Sequence, residues 1–183
     1  MLLPILVLIL FGIIDFGSLY NNYQSVRQGA RDGMRQAVVA MPTGQSCTTQ
    51  PGGSGNYPST GDAYQLICYV KARVGLGNNT RVRIIWNGPQ TSIATDQKSF
   101  PAGNPVMVCV QYPAQSLSGV LAPFINGKVL NTQAETLIEQ DNNTLPLTTS
   151  SGVHPAYGDV YEPGVGNAAV NNGWPTSCDH TKL

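Results

Sequence analysis

The sequence predicts an α+β fold in which a long N-terminal helix packs on a small antiparallel sheet, with a second helix and an irregular C-terminal tail. Three observations carry that prediction. A helical stripe runs from an apolar opening into a polar stretch without a break, three later runs show the two-residue alternation of strands, and the chain beyond Asn142 is dominated by Gly, Pro, Asn and Thr.

The opening reads MLLPILVLILFGIIDFGSLYNNY, with Asp15 its first charge. A bilayer core needs about 20 apolar residues in a helix, so the run before Asp15 is too short to cross by itself. Helical periodicity continues past it. Tyr23, Val26, Ala30, Met34, Ala37, Val38 and Met41 recur at three- and four-residue spacing, and Arg27, Arg31 and Arg35 recur every four residues on a different face. The pattern predicts one helix over 3–40, stopped by Met41-Pro42 and then Gly44, because the residue before proline is pushed out of the helical region. At about 1.5 Å per residue such a rod exceeds ~50 Å, too long to lie wholly inside a small head. Its first half must be embedded in something else.

The stretch PTGQSCTTQPGGSGNYPS is loop by composition. A second helix follows from cap candidates Ser59 or Thr60, with Asp62 in its first turn, carries Leu66, Ile67, Val70 and Val74, and ends at Gly75 and Gly77. In the strand run 81–86, Val82, Ile84 and Trp86 share one face and Arg81 and Arg83 the other. In 106–112, Val106, Val108, Val110 and Tyr112 alternate with Met107, Cys109 and Gln111. Each strand is expected to turn one face to a core and one to water. Residues 115–126 read as a connector with a helical turn, and 128–138 as a long polar strand suited to an exposed edge. The tail is expected to be irregular and held mainly by Cys178.

Charged residues are 11% of the chain and net charge is zero, so there is no electrostatic footprint for nucleic acid or anionic lipid. Cys47, Cys68, Cys109 and Cys178 all follow the apolar opening and form no C-x-x-C pair. They read as two disulfides in an oxidising compartment. Of three possible connectivities, Cys47 with Cys68 and Cys109 with Cys178 is favoured. The first pair closes a Gly/Pro/Ser/Thr-rich loop of about 20 residues, worth about 3 kcal/mol, and the second ties down the tail.

Catalytic motifs fail on context. Gly52-Gly53-Ser54-Gly55 lacks G-x-S-x-G spacing and has no preceding strand, and Gly164-Val165-Gly166 is a fragment of a dinucleotide loop without its strand. His154 and His180, with Asp159, Glu162 and Asp179, make at best a weak metal site in the tail. Neither catalysis, a metal nor a cofactor is expected. Asn78-Asn79-Thr80 and Asn142-Asn143-Thr144 match glycosylation acceptors but read as turns. Tyr157, Tyr161 and Trp174 are expected to pack on the head, the alternative being an exposed aromatic contact surface.

The architecture is that of a pilin, and the opening residues resemble a particular family. Leu3 and Pro4 in an apolar run, the Phe11-Gly12-Ile13-Ile14-Asp15-Phe16-Gly17 segment, and an A-R-x-G segment within 28–33 resemble TadE-like proteins, minor pseudopilins of the bacterial tight-adherence (Tad, or Flp) type IV pilus system. A second stretch, VMVCVQYPAQSLSGVLAPFINGKVLNTQAETLIEQ, is similar to the family's closing strand pair. Family members carry a basic leader, a cleavage site and a glutamate ahead of the Leu-Pro; here no Glu precedes Asp15 and the first basic residue is Arg27. The expectation is a longer reading frame, with about ten or more further apolar residues ahead of Met1 to complete a span.

The resemblance implies a minor pilin that takes part in pilus assembly and surface adhesion. Its partners would be other pilins, the Tad assembly platform, membrane lipid and, where a leader exists, a prepilin peptidase. It would be a single-pass cell-membrane protein with an extracytoplasmic head, or part of an extracellular pilus. The expected division is a membrane or filament helix over 1–41, a head over 42–140 and a Gly/Pro/Asn-rich tail over 141–183 tied to it. The alternative is a membrane-tethered binding module that never enters a filament. Gly12 and Gly17 offer close approach to neighbouring helices. Asp15 reads either as an interfacial residue at the lipid boundary or as a partner-facing charge, and the Arg27, Arg31, Arg35 stripe as a solvated face or a partner-binding one.

Overall fold

The computed structural model describes residues 3–39, 62–87, 105–137, 157–162, 164–165 and 173–183. The expected helix stop after Met41, the loop with Cys47, the caps Ser59 and Thr60, the second glycosylation-like site and His154 lie outside them. Helix α1 runs over Leu3–Val39, 37 residues without interruption. At about 1.5 Å per residue that is roughly 55 Å. Helix α2 covers Asp62–Val74 and ends at Gly75, whose φ of 69° suits a residue without a side chain.

Four strands form one antiparallel sheet: β1 Arg81–Asn87, β2 Pro105–Pro113, β3 Val129–Leu137 and β4 Tyr157–Tyr161, in the order β3-β2-β1-β4. Register is set by pairs such as Ile84 with Val108, Val108 with Ala134 and Ile84 with Val160. Three strands match the runs seen in the sequence, and β3 is the expected edge. The fourth lies in the tail that was expected to be irregular, and it pairs with β1. Between β2 and β3 the chain makes a short helical turn, α3, over Ala122–Ile125.

The main core is a three-way junction. Val26, Ala30, Met34 and Ala37 of α1 meet Leu66, Ile67, Val70 and Val74 of α2 over the face of the sheet that carries Val82, Ile84, Val108 and Val110. Tyr23, expected on the α1 stripe, is instead exposed. The helices approach closely because α1 offers glycines at the crossing. A Cβ at Gly29 would run into the side chain of Val74, and one at Gly33 into that of Val70.

The opposite face of the sheet corrects the expectation of a water-facing side. Arg83 is only 3% exposed, and Met107 and Cys109 are buried with Trp174 and Cys178. The tail folds back over this face. Cys109 and Cys178 are joined by a disulfide with Cα atoms 6.1 Å apart, as favoured from the sequence. Arg83 donates to the carbonyl of Cys178 at 2.8 Å, and its guanidinium lies 5.5 Å from the Tyr161 ring centroid. Gln111 works as a two-ended clamp: its amide nitrogen donates to Gly173 O at 3.2 Å, and its carbonyl oxygen accepts from Val165 N at 2.9 Å.

One buried ion pair links α2 to the tail. Lys71 Nζ stands 2.7 Å from Glu162 Oε1, both side chains fully buried, while Glu162 Oε2 accepts the Val82 N–H at 2.9 Å. Trp174 Nε1 closes the arrangement by donating to the Glu162 carbonyl at 2.8 Å. Arg81 Nη1 also stands 3.7 Å from Glu162 Oε1 but is partly exposed, so removing Lys71 takes away the buried cation of the pair. Lys71→Met should therefore lower unfolding free energy by about 3 kcal/mol or more, as read by denaturant unfolding through Trp86 and Trp174 fluorescence. Adding Glu162→Gln should restore part of the loss, because glutamine still accepts the Val82 N–H and carries no charge. A neutral effect of the single change would contradict the burial of the pair.

Candidate membrane and partner-facing site

The first half of α1 leaves the head. Its side chains from Leu3 to Phe11 are exposed, as are Ile13, Ile14 and Phe16, and Pro4 sits in the first turn. Among the described residues α1 is the helix long and apolar enough to cross a membrane by length and composition. Among the described residues nothing comes within 4 Å of a Cβ built at Gly12 or Gly17. Both stand in open space, in contrast to Gly29 and Gly33.

Asp15 sits at the point where head and helix part. It lies on the same side of α1 as Val26, in a spaced series through Ser18, Leu19 and Asn22 that is at least half-buried throughout. Its side chain is 2% exposed and faces the head's own 116–118 loop rather than outward. Oδ1 accepts the N–H groups of Leu117 at 3.0 Å and Ser118 at 2.8 Å. Oδ2 accepts the hydroxyls of Ser116 at 2.6 Å and Ser118 at 2.7 Å. Four donors converge on one carboxylate, the arrangement that makes a charge tolerable beside apolar residues. Ser116 and Ser118 were not singled out in the sequence. The only signal was their place inside the uncharged stretch between Pro113 and Lys128.

The loop is itself ordered by those serines. The Ser116 hydroxyl accepts the Gly119 N–H at 3.0 Å, the Ser118 hydroxyl accepts the Val120 N–H at 3.2 Å, and Asn126 Oδ1 accepts the Ser116 N–H at 3.1 Å. Each serine passes the Asp15 charge one hydrogen bond further into the loop.

Arg27, Arg31 and Arg35 are exposed, on the face of α1 away from the Val26, Ala30 and Met34 stripe. Cys68 is disulfide-bonded; its expected partner Cys47 lies outside the described residues. Glu162, a candidate in the weak metal cluster, is held by Lys71. Among the described residues no group of three or more His, Cys, Asp or Glu is placed to hold a metal. Gly164, weighed as a dinucleotide-loop fragment, lies where the backbone crosses closely over Gly173, with no room for a side chain.

The family model described as TadE-like protein matches residues 1–35. Over these residues the chain is similar to TadE-like proteins. The matched residues take in the whole projecting half of α1, Asp15 and the glycines at the α2 crossing. No curated protein and no solved structure matches the chain.

The Asp15 bonds should hold the loop to the helix. Asp15→Ala, which removes all four acceptor contacts, should speed proteolytic cleavage within 115–126 of the detergent-solubilised protein. Asp15→Asn, which keeps one oxygen for the two N–H groups, should fall between it and the parent. Equal cleavage rates in all three would show that the loop does not depend on Asp15.

Proposed function

We propose that this protein is a minor pilin of a Tad-type pilus that helps assemble the filament and supports surface adhesion. The observation that carries the reading is that the TadE-like match contains the apolar half of α1 that leaves the head. In this reading residues 1–41 are the membrane and filament helix, 42–140 an extracytoplasmic head, and 141–183 a tail bound to the head.

The helix first spans the membrane and is then drawn into contact with other pilins at the assembly platform. Lipid and the interior of a helical filament are both apolar, so the same surface serves both states, and close packing decides between them. Gly12 and Gly17, open in the single chain, give neighbouring helices a place to approach. Arg27, Arg31 and Arg35 carry positive charge down the exposed side of the helix, where an acidic partner surface would meet them. Leu3, Pro4, Phe11 and Phe16 belong to the buried surface of the assembled state.

Fractionation of a native host carrying an epitope-tagged copy tests this. The protein should be enriched with sheared surface filaments or with the assembly platform, and loss of its gene should lower filament number and surface attachment severalfold. Confinement to membranes, with filaments and attachment unchanged by the deletion, would contradict the proposal and favour a tethered binding module.

A further inference from the structure

The loop that receives Asp15 has an outward side that the hydrogen-bond network does not use. Leu117 is 74% exposed, Phe124 75% and Val120 41%. They stand on the segment that binds α1 at Asp15, whose chain neighbours Ile14 and Phe16 are themselves exposed and apolar. Exposed apolar side chains therefore occur on both partners of the Asp15 contact. No charged residue occurs between Pro113 and Lys128, and Asp15, the only charge ahead of Arg27, is covered by the loop itself.

The backbone of the loop is also unusually self-sufficient. Every residue from Ser116 to Val120 donates its N–H within the chain, to Asn126, Asp15 or the two serine hydroxyls. Ala122, Phe124, Ile125 and Asn126 donate to carbonyls of the same loop. An exposed loop in water has no need of this, whereas a segment entering a water-poor layer must satisfy its polar groups internally. Large exposed apolar side chains on such a frame mark an interaction surface.

We infer that the 115–126 loop is a membrane-interface anchor: Leu117, Val120 and Phe124 enter the headgroup and upper acyl layer of the bilayer that α1 spans. The inference rests on the reading of α1 as a membrane helix and adds to it a second contact, made by the head. Attachment to the apolar helix names lipid as the occupant, because a head locked to the span at Asp15 brings this loop down with it. The Asp15 cluster then has a particular use. It hides the one charge at the base of the head under hydroxyl and N–H donors, so that helix and loop can sink together. Lys128, exposed at the end of the loop, is placed to reach toward lipid phosphates.

Site-directed spin labelling of the full chain in vesicles of phosphatidylethanolamine and phosphatidylglycerol tests this. Labels are placed by Phe124→Cys in the loop, Phe11→Cys in the span and Glu135→Cys on the exposed side of β3, with the native disulfides kept oxidised. All three positions are exposed, so the labels displace no core group. The Phe124 label should resemble the Phe11 label, colliding with dissolved oxygen several-fold more often than with a water-soluble nickel complex, and Glu135 should show the reverse. Nickel access at Phe124 with oxygen preference kept at Phe11 would overturn the loop anchor and leave the membrane helix standing. Nickel access at Phe11 as well would overturn both. Shielding of Phe124 from both reagents, with spin broadening that unlabelled protein removes, would mean a second copy covers the surface and would likewise overturn the proposal.

Discussion

The bonding of the Asp15 carboxylate to the 116–118 loop is the constraint on which the arrangement of helix and head depends. Further along α1 the head is held by packing: Val26, Ala30, Met34 and Ala37 are buried against α2 and the sheet. Toward the N-terminus that apolar stripe gives way to Ser18 and Asn22, and the last firm attachment is the carboxylate with its four donors. Beyond it the helix is apolar all round, as suits a segment surrounded by lipid or by other helices rather than lying half on a head. Asp15 thus fixes how far the head reaches along the helix, and therefore how much of α1 is left to project.

The same physical rule recurs at the other end of the head. Lys71, Glu162, Arg83 and Gln111 are buried polar side chains, and each is engaged by the returning tail or engages it. Burial of such groups is tolerable only when their hydrogen bonds are made, so the tail is required by the residues beneath it. The Cys109–Cys178 disulfide holds covalently what these contacts hold by geometry. It sits in the second, smaller core with Met107 and Trp174, on the sheet face opposite the helices. A chain with few charges thus carries several of them inside, in a head whose central strands β1 and β2 are covered on both faces.

The helices and three strands were legible in the sequence because their periods are unambiguous: Val26, Ala30, Met34 and Ala37 at helical spacing, Val106, Val108 and Val110 in alternation. What could not be read were features set by distant partners. Tyr157–Tyr161 reads YGDVY, with a glycine and an aspartate where strand formers are usual, and is a strand because β1 offers an open edge. Arg83 looked solvated because nothing local shows that the tail will cover it. Lys71 carried a faint signal, since it lies at helical spacing between Ile67 and Val74 on a buried face, and a cation there implies an acidic partner. Asp15 carried a similar one, for it continues the head-facing series through Asn22 to Val26. Its spacing placed it on the inner face of α1, but only the fold could supply the serines, about a hundred positions away, that receive it.

The most direct test of that constraint is amide hydrogen exchange at Leu117 and Ser118, measured by NMR on the intact chain in lipid nanodiscs. Leu117 has a highly exposed side chain on a surface loop, a setting in which amides ordinarily exchange freely. If the Asp15 carboxylate holds the loop, both amides should exchange far more slowly than other loop amides, and Asp15→Ala should abolish the protection. Free exchange of both amides in the parent protein would contradict the account, and the head would then be attached to α1 by the Val26–Ala37 packing alone.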